Sequence, residues 1–320
     1  MKKGMLMMEI NRAKITDYRN DRRIHYTHRI GLWLRSLGFP GSTKLSLFIG
    51  KRIVPKINTP VVISCLYGYD ILVLNNNYYV SSIYLSGTSE AGLLHVMEKV
   101  LSRGDIFFDV GANIGMMSLY AWKLVAPSGK VHAFEPEPYN YSALRFNIDL
   151  NGASEIHPNS CALGHRRQKG IIYPYSRNLG MASLLKPDDC SLGEEIEVER
   201  LYDYVLRKSI SRIRMLKVDV EGYELEVLKG ASELLMSDQA PIICCEYCGN
   251  RKLAEGNPID LYRFIKDVNS YDIYMLKRGD NKISKLVRIA SEKNIPRSGI
   301  VNLFCFLPLH YETVPNDIFA

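Results

Sequence analysis

Asp105-Ile-Phe-Phe-Asp-Val-Gly-Ala-Asn-Ile-Gly115 reads as a short buried strand ending near Asp109, a turn bracketed by Gly111 and Gly115, and the start of a helix over Met116 to Val125. Glu135 follows 20 residues after Gly115 and closes a second apolar run, Lys130 to Phe134. Strand, glycine turn, helix, strand and trailing carboxylate form a unit suited to a nucleotide-like ligand. Glycine lets backbone approach the ligand, the helix N-terminus offers N–H groups, and a carboxylate at that distance accepts ribose hydroxyls.

Outward from this unit, strand-length apolar runs alternate with helical patterns. Strands are expected at 105–110, 130–135, 155–160, 213–219 and 241–247, and helices at 89–101, 114–126, 137–151, 223–236 and 259–268. Such alternation builds a doubly wound, mostly parallel sheet covered on both faces. Tyr271 to Leu276 and Val301 to Leu307 are joined by a charged connection without a crossover helix and read as an antiparallel edge pair. Ahead of the core, Val61 to Leu66, Tyr69 to Leu74 and Tyr79 to Tyr84, separated by Gly68 and Asn75-Asn76-Asn77, read as a small antiparallel sheet. The expected organisation is a basic helical extension at 1–56, the small sheet and a lead-in helix at 57–102, an α/β Rossmann-like domain at 103–308, and a tail at 309–320. An insertion at 164–200, with short strands Gly170 to Tyr175 and Met181 to Leu185, falls where open sheets bind ligands. It reads either as a substrate lid or as a surface hairpin.

With 320 residues, 47% of them hydrophobic, the chain can bury a large core. Seven cysteines, odd in number and mostly within apolar runs, do not form a disulfide framework, and a reducing, cytoplasmic compartment is expected. No window of the sequence approaches a membrane span, and residues 1–10 lack the apolar centre of a secretion signal. The net charge of +7 is uneven: residues 1–56 hold 13 Lys/Arg against Glu9, Asp17 and Asp21, whereas the rest carries 28 against 31. This basic segment, interleaved with residues such as Ile30, Trp33 and Leu37, reads as a packed helical extension with a solvated basic face. The alternative is a helix lying on an anionic membrane or a lipid-linked ligand. Nucleic acid is not expected as a partner.

The turn Gly111-Ala-Asn-Ile-Gly115 lacks the middle glycine of Gly-x-Gly-x-x-Gly, which admits a pyrophosphate, and offers Asn113 instead. S-adenosylmethionine has ribose and adenine but no pyrophosphate, so the turn favours this methyl donor over NAD. A second constellation is Leu216-Lys-Val-Asp-Val-Glu-Gly222, whose period-two pattern puts Lys217, Asp219 and Glu221 on one side near the mouth of the sheet, with Glu246 able to join them. Cys244, Cys245 and Cys248 invite a zinc reading, but no second ligand pair stands at the required spacing, and incidental thiols at a strand end are preferred; no metal ligand is assigned. His25 and His28 are expected on a helix surface, and His165 opens the insertion.

These motifs resemble those of FkbM-type S-adenosylmethionine-dependent methyltransferases within the class I Rossmann-like group. The resemblance rests on Gly104 to Gly115, Phe134-Glu-Pro-Glu-Pro138 with Asn147 and Asn151, Ala162-Leu-Gly164, and Leu216 to Gly222 with Glu224, Val227-Leu228, Gly230-Ala231 and Glu246, over residues 85–308. It implies a seven-stranded sheet with a reversed C-terminal hairpin and methyl transfer to oxygen, on a sugar, glycan or natural-product hydroxyl. The methionine tail is then assigned to Asp109, Gly111, Asn113 and Gly115, ribose to Glu135, and adenine to Ser160, Cys161 and Ala162, with Ala112 and Pro136 in the same cofactor set. Asp219 or Glu221 is the expected base, with Lys217 as a positioning group. Only Asp203 remains of a common aspartate pair, and the Asp/Asn-Pro-Pro-Tyr tetrapeptide of amino-methylating enzymes is absent. The rival readings are an NAD-dependent oxidoreductase and a non-catalytic binding protein that keeps the fold.

Overall fold

The computed structural model describes residues 15–17, 26, 28–30, 33, 60–73, 89–175, 178–185, 193–249 and 256–320. Most of the basic segment and the proposed strand at 79–84 lie outside them. Within that segment β1 (Thr16–Asp17) pairs in parallel with β2 (Val61–Ser64), which pairs antiparallel with β3 (Asp70–Val73). His28, expected at a surface, is buried instead, its Nε2 3.2 Å from the Ser64 carbonyl of β2.

The central unit runs α1 (Ala91–Val100), β4 (Ile106–Val110), α2 (Met116–Val125), β5 (Lys130–Phe134), α3 (Pro138–Asn151) and β6 (Ile156–Asn159). It continues through β7 (Ala162–Gly164), β8 (Gln168–Tyr175), β9 (Asn178–Ser183), β10 (Glu194–Arg200), α4 (Leu201–Arg207) and β11 (Met215–Val218). The last part holds α5 (Glu224–Lys229), α6 (Ser232–Leu235), β12 (Ile242–Cys248), α7 (Ile259–Val268), β13 (Asp272–Leu276), β14 (Leu286–Arg288) and β15 (Ile300–Phe306). The main sheet has eight strands in the order β14-β13-β15-β12-β11-β4-β5-β6. Pairing is parallel from β12 to β6 and antiparallel around β15.

Alternation along β4 shows how the two faces are covered. Phe107 enters one core with residues of α1, α2 and α3, while Phe108 and Val110 enter the other with α4, α5 and α7. The C-terminal strands depart from expectation: β15 is interior, between β12 and β13, and the charged connection supplies β14 as an eighth strand. Leu286 of β14 is buried and bridges to Phe319, so the last residues fold back over that edge.

The insertion is also larger than the two short strands anticipated. β7, β10, β8 and β9 form a second sheet with its own small core of Ala162, Ile172, Ile196 and Val198. Strand β10 was legible: Glu194-Glu-Ile-Glu-Val-Glu-Arg200 alternates apolar and charged residues with the period of a strand. Two asparagines of the sequence motifs prove to be braces. Asn147 accepts from Leu72 N and donates to Ile114 O, and Asn151 bonds both backbone groups of Asp70, which pins the small N-terminal sheet to α3. Among the described residues no helix is long and apolar enough to cross a membrane.

Candidate active site

A cleft with about 930 Å³ of empty space, part of it continuous with solvent, opens at the C-terminal ends of β4, β5 and β11, where open parallel sheets place their ligands. Its β5 side holds Glu135, Pro136, Cys161 and Ala162, its floor Gly111, Ala112 and Asn113, and its β11 side Lys217, Asp219 and Glu221. The two separate sequence constellations thus share one space, because β4 lies between β5 and β11 in the sheet.

Glu135 is 5% exposed and accepts Asn113 N at 2.7 Å and Glu137 N at 3.0 Å. Burial pushes its carboxyl up to about 8, although both backbone bonds pull the other way. Each oxygen keeps acceptor capacity for a diol, so the site fits a ribose. The glycines of the turn are required by the protein as well as by any ligand. A Cβ on Gly111 (φ +82) would lie 1.8 Å from Asp219 O, and one on Gly115 (φ +92) would lie 2.6 Å from Leu144 Cδ1.

Three of the residues assigned to the cofactor, Asp109, Gly115 and Ser160, lie off the cavity wall. Asp109 is fully buried and off the cavity wall; Ser118 Oγ donates to it at 2.6 Å and Lys217 Nζ stands 3.4 Å away, so it anchors the lysine. Gly115 packs against α3 and is also off the wall. Ser160 is exposed where the chain leaves β6, and only Cys161 and Ala162 of its segment reach the cavity. The turn's N–H groups are already engaged: Gly111 and Ala112 donate to Phe134 O, Asn113 to Glu135, Ile114 to Asn113 Oδ1 and Gly115 to Ala112 O. Met116 and Met117, in the first turn of α2, line the wall, and the first turn of a helix carries N–H groups without intrahelical partners.

On the β11 side Lys217 is 2% exposed and donates to Asp219 Oδ2 at 3.1 Å. Burial opposes its charge, but Asp219 and Asp109 outweigh that and hold the ammonium well above its ordinary value. The strand ends at Val218, so Asp219 to Gly222 form a loop and not the strand continuation expected. Glu224, buried at the start of α5, shapes that loop by accepting Val220 N and Gly222 N, each at 3.0 Å. Glu221 sits in it at φ +55, and burial, with Asp219 and Glu224 nearby, raises its carboxyl to about 8. Glu246 is close enough for Asp219 and Glu221 to raise its carboxyl further after burial, but it is not on the wall.

Sequence reading missed Glu90. It precedes α1 at φ +49, and its carboxyl lines the cavity, raised to about 7 by burial and by Asp219. Its backbone is held from the far end of the chain: Glu90 N donates to Asn281 Oδ1 and Gly92 N to Asp280 O. A non-glycine residue in the left-handed region just ahead of a helix was not visible as a pattern. The insertion also reaches the site, with Ile172 and Leu184 on the wall and Ser183 Oγ donating to Glu221 O at 2.8 Å. His165 points elsewhere, 2.5 Å from Glu226. Cys244, Cys245 and Cys248 are buried in β12, with Cys244 Sγ directed at Asn302.

Fold and cavity together define a Rossmann-like α/β domain with a carboxylate-lined cavity at its strand ends. The methyltransferase FkbM domain profile matches residues 109–279, more than half of the chain, and the protein belongs to that family. The 31-O-demethyl-FK506 methyltransferase FkbM of Streptomyces tacrolimicus is 35% identical over 179 residues, covering 46% of this chain and 66% of its own. The hexuronic acid methyltransferase AglP of Haloferax volcanii is 26% identical over 148 residues, covering 46% and 59%. The chain spans 57 to 66% of the length of the curated relatives it matches. A methyltransferase FkbM structure from Methylobacillus flagellatus superposes with a TM-score of 0.42 at 20% identity, over 72% of this chain and 53% of the other.

Proposed function

We propose that the protein is an S-adenosylmethionine-dependent O-methyltransferase acting on a hydroxyl of a sugar, glycan or natural product, with residues 103–308 as its catalytic domain. The observation that carries this reading is the single cavity in which a ribose-type carboxylate, Glu135, shares space with the Lys217, Asp219 and Glu221 set. Relatives named for 31-O-demethyl-FK506 and for hexuronic acid support hydroxylated acceptors.

When bound, S-adenosylmethionine supplies an electrophilic methyl group on a sulfonium. Glu135 receives the ribose hydroxyls, and the wall from Gly111 to Met117 receives the amino-acid end. Cys161, Ala162 and Pro136 flank the adenine. Acceleration then comes from holding the acceptor oxygen in line with that methyl and from excluding water, which the Leu184 and Ile172 wall does. Asp219 is engaged by Lys217, and Glu221, raised to about 8, is a carboxylate suited to take the acceptor's hydroxyl proton near neutral pH. Lys217 and Asp219 position the acceptor.

Calorimetric titration with S-adenosylmethionine and, separately, NADH tests the cofactor. Saturable binding of the first that Glu135→Ala weakens is expected, and binding of NADH alone would overturn the reading. With a panel of sugar and polyketide hydroxyls, near-normal methylation by both folded Asp219→Ala and folded Glu221→Gln would remove the proposed base.

A further inference from the structure

Polar lining on the β5 side extends beyond Glu135. Helix α3 begins three residues later, and its third residue, Asn140, is 1% exposed and lies on the cavity wall. Its backbone N–H is used, donating to Glu137 Oε2 at 2.7 Å. Its side-chain Oδ1, although buried, accepts a hydrogen bond from no protein group. A fold rarely buries an amide oxygen without a donor, because an apolar side chain of similar size fills the same space without that desolvation cost. Asn140 therefore resembles a group kept for a ligand.

Its position says which part of the ligand. Asn140 lies one helical turn before Leu144, whose Cδ1 blocks the Cβ position of Gly115, so this end of α3 rests against the glycine turn. Five residues before it, Glu135 directly follows β5, with its two oxygens already accepting Asn113 N and Glu137 N. Asn140 thus lines the cavity from the helix that directly follows the ribose carboxylate in the chain, and not from the β11 segment that holds Lys217 and Glu221.

Building on the cofactor reading above, we infer that Asn140 is a cofactor-binding residue whose Oδ1 accepts a hydrogen bond from a ribose hydroxyl of S-adenosylmethionine. It complements Glu135, so two side chains from either side of the β5–α3 connection hold the sugar. A ligand hydroxyl is a sufficient donor, and no titration is required.

The test is calorimetry on the full chain with S-adenosylhomocysteine and with 5′-methylthioadenosine, which keeps the ribose and lacks the amino-acid tail, alongside melting curves without ligand. Asn140→Leu is expected to bind both ligands about tenfold or more weakly, while its unligated melting temperature is unchanged or raised. Asn140→Ala serves as a second variant should leucine disturb the packing of α3. The loss should shrink with the 2′-deoxy or the 3′-deoxy form of methylthioadenosine, whichever lacks the bonded hydroxyl. Wild-type binding with unaltered variant affinity would overturn the role of Asn140 and leave the cofactor reading standing. So would a loss confined to S-adenosylhomocysteine, a loss undiminished with both deoxy forms, or a drop in unligated stability with no change in affinity. Failure of the wild type to bind either ligand would overturn the cofactor reading and this inference together.

Discussion

The two halves of the cavity are built in different ways. The β5 half is nearly contiguous: the turn at 111–115, Glu135, Asn140 and the 161–162 segment lie within about fifty residues, on the segments that follow three adjacent strands, β4, β5 and β6. The β11 half is assembled from distant pieces: Glu90 before α1, the 217–221 stretch, Ser183 and Leu184 from the insertion, and the 280–281 turn that holds Glu90. On the function proposed above, the half that would bind an invariant nucleoside is written as a local motif, and the half that would fit a particular acceptor draws on elements that can vary independently. Glu90 and the 280–281 turn lie outside the 109–279 segment that matches the family profile, which agrees with that division.

The most damaging single change should fall where the halves touch. Gly111→Ala places a Cβ against Asp219 O in a left-handed backbone, so a loss on the order of 3 kcal/mol in unfolding free energy is expected, with both binding functions failing together in melting and titration experiments. If Gly111→Ala instead unfolds like the wild type and loses only cofactor binding, the halves are not packed through this contact. Next, Glu135→Ala should weaken S-adenosylhomocysteine binding by roughly 100-fold and cost on the order of 1 kcal/mol of stability through the lost bonds to Asn113 N and Glu137 N, without unfolding the chain. Glu221→Gln should do the converse, lowering methyl-transfer turnover by roughly 100-fold with cofactor affinity little changed. Equal effects of the two variants on cofactor affinity would erase the distinction between the halves.

The unligated protein should also report its buried carboxylates. Glu135 and Glu221 are raised to about 8, and Glu90 and Glu224 to about 7, chiefly by burial. A raised carboxyl contributes stability that is fully present below its unfolded value near 4.5 and is lost as pH rises through the folded value. Chemical denaturation should therefore show stability falling between about pH 5 and 8. Glu135→Gln should flatten part of that slope, and a flat wild-type profile would show that these groups ionise freely. The smallest effect is expected from Ser183→Ala. Removing the bond to Glu221 O should cost about 1 kcal/mol of local stability and raise the acceptor KM a few-fold, with cofactor titrations unchanged.

Much of this was legible before the tertiary structure was considered. The alternation of β4, α2, β5 and α3 and the positions of Glu135 and Lys217 follow from periodicity, glycine spacing and strand ends, which are local properties, whereas Asp219 and Glu221 reach the cavity from the loop after β11 and not on the strand face that the period-two pattern implies. Asp109 illustrates the limit of that logic. Its place at the end of an apolar strand suggested a ligand contact, yet its side chain points at Ser118 and Lys217. Sequence spacing sets which face of a strand a residue occupies, but not whether that face meets a cavity or a neighbouring helix. Strand β14 was hidden in a charged connection because an edge strand of three residues carries too short a pattern to stand out.

By itself, then, the sequence determined the doubly wound α/β order, the glycine turn, the carboxylate after β5 and the charged stretch at the end of β11, because each is encoded by neighbours in the chain. Only the tertiary structure decided that these share one cavity, that Asp109 serves Lys217, that the insertion bonds to Glu221, and that Glu90 and Asn140 line the wall. Those outcomes depend on contacts between residues up to 191 positions apart, as for Glu90 and Asn281. Such contacts arise from packing and hydrogen-bond satisfaction across the whole fold, which no local pattern records.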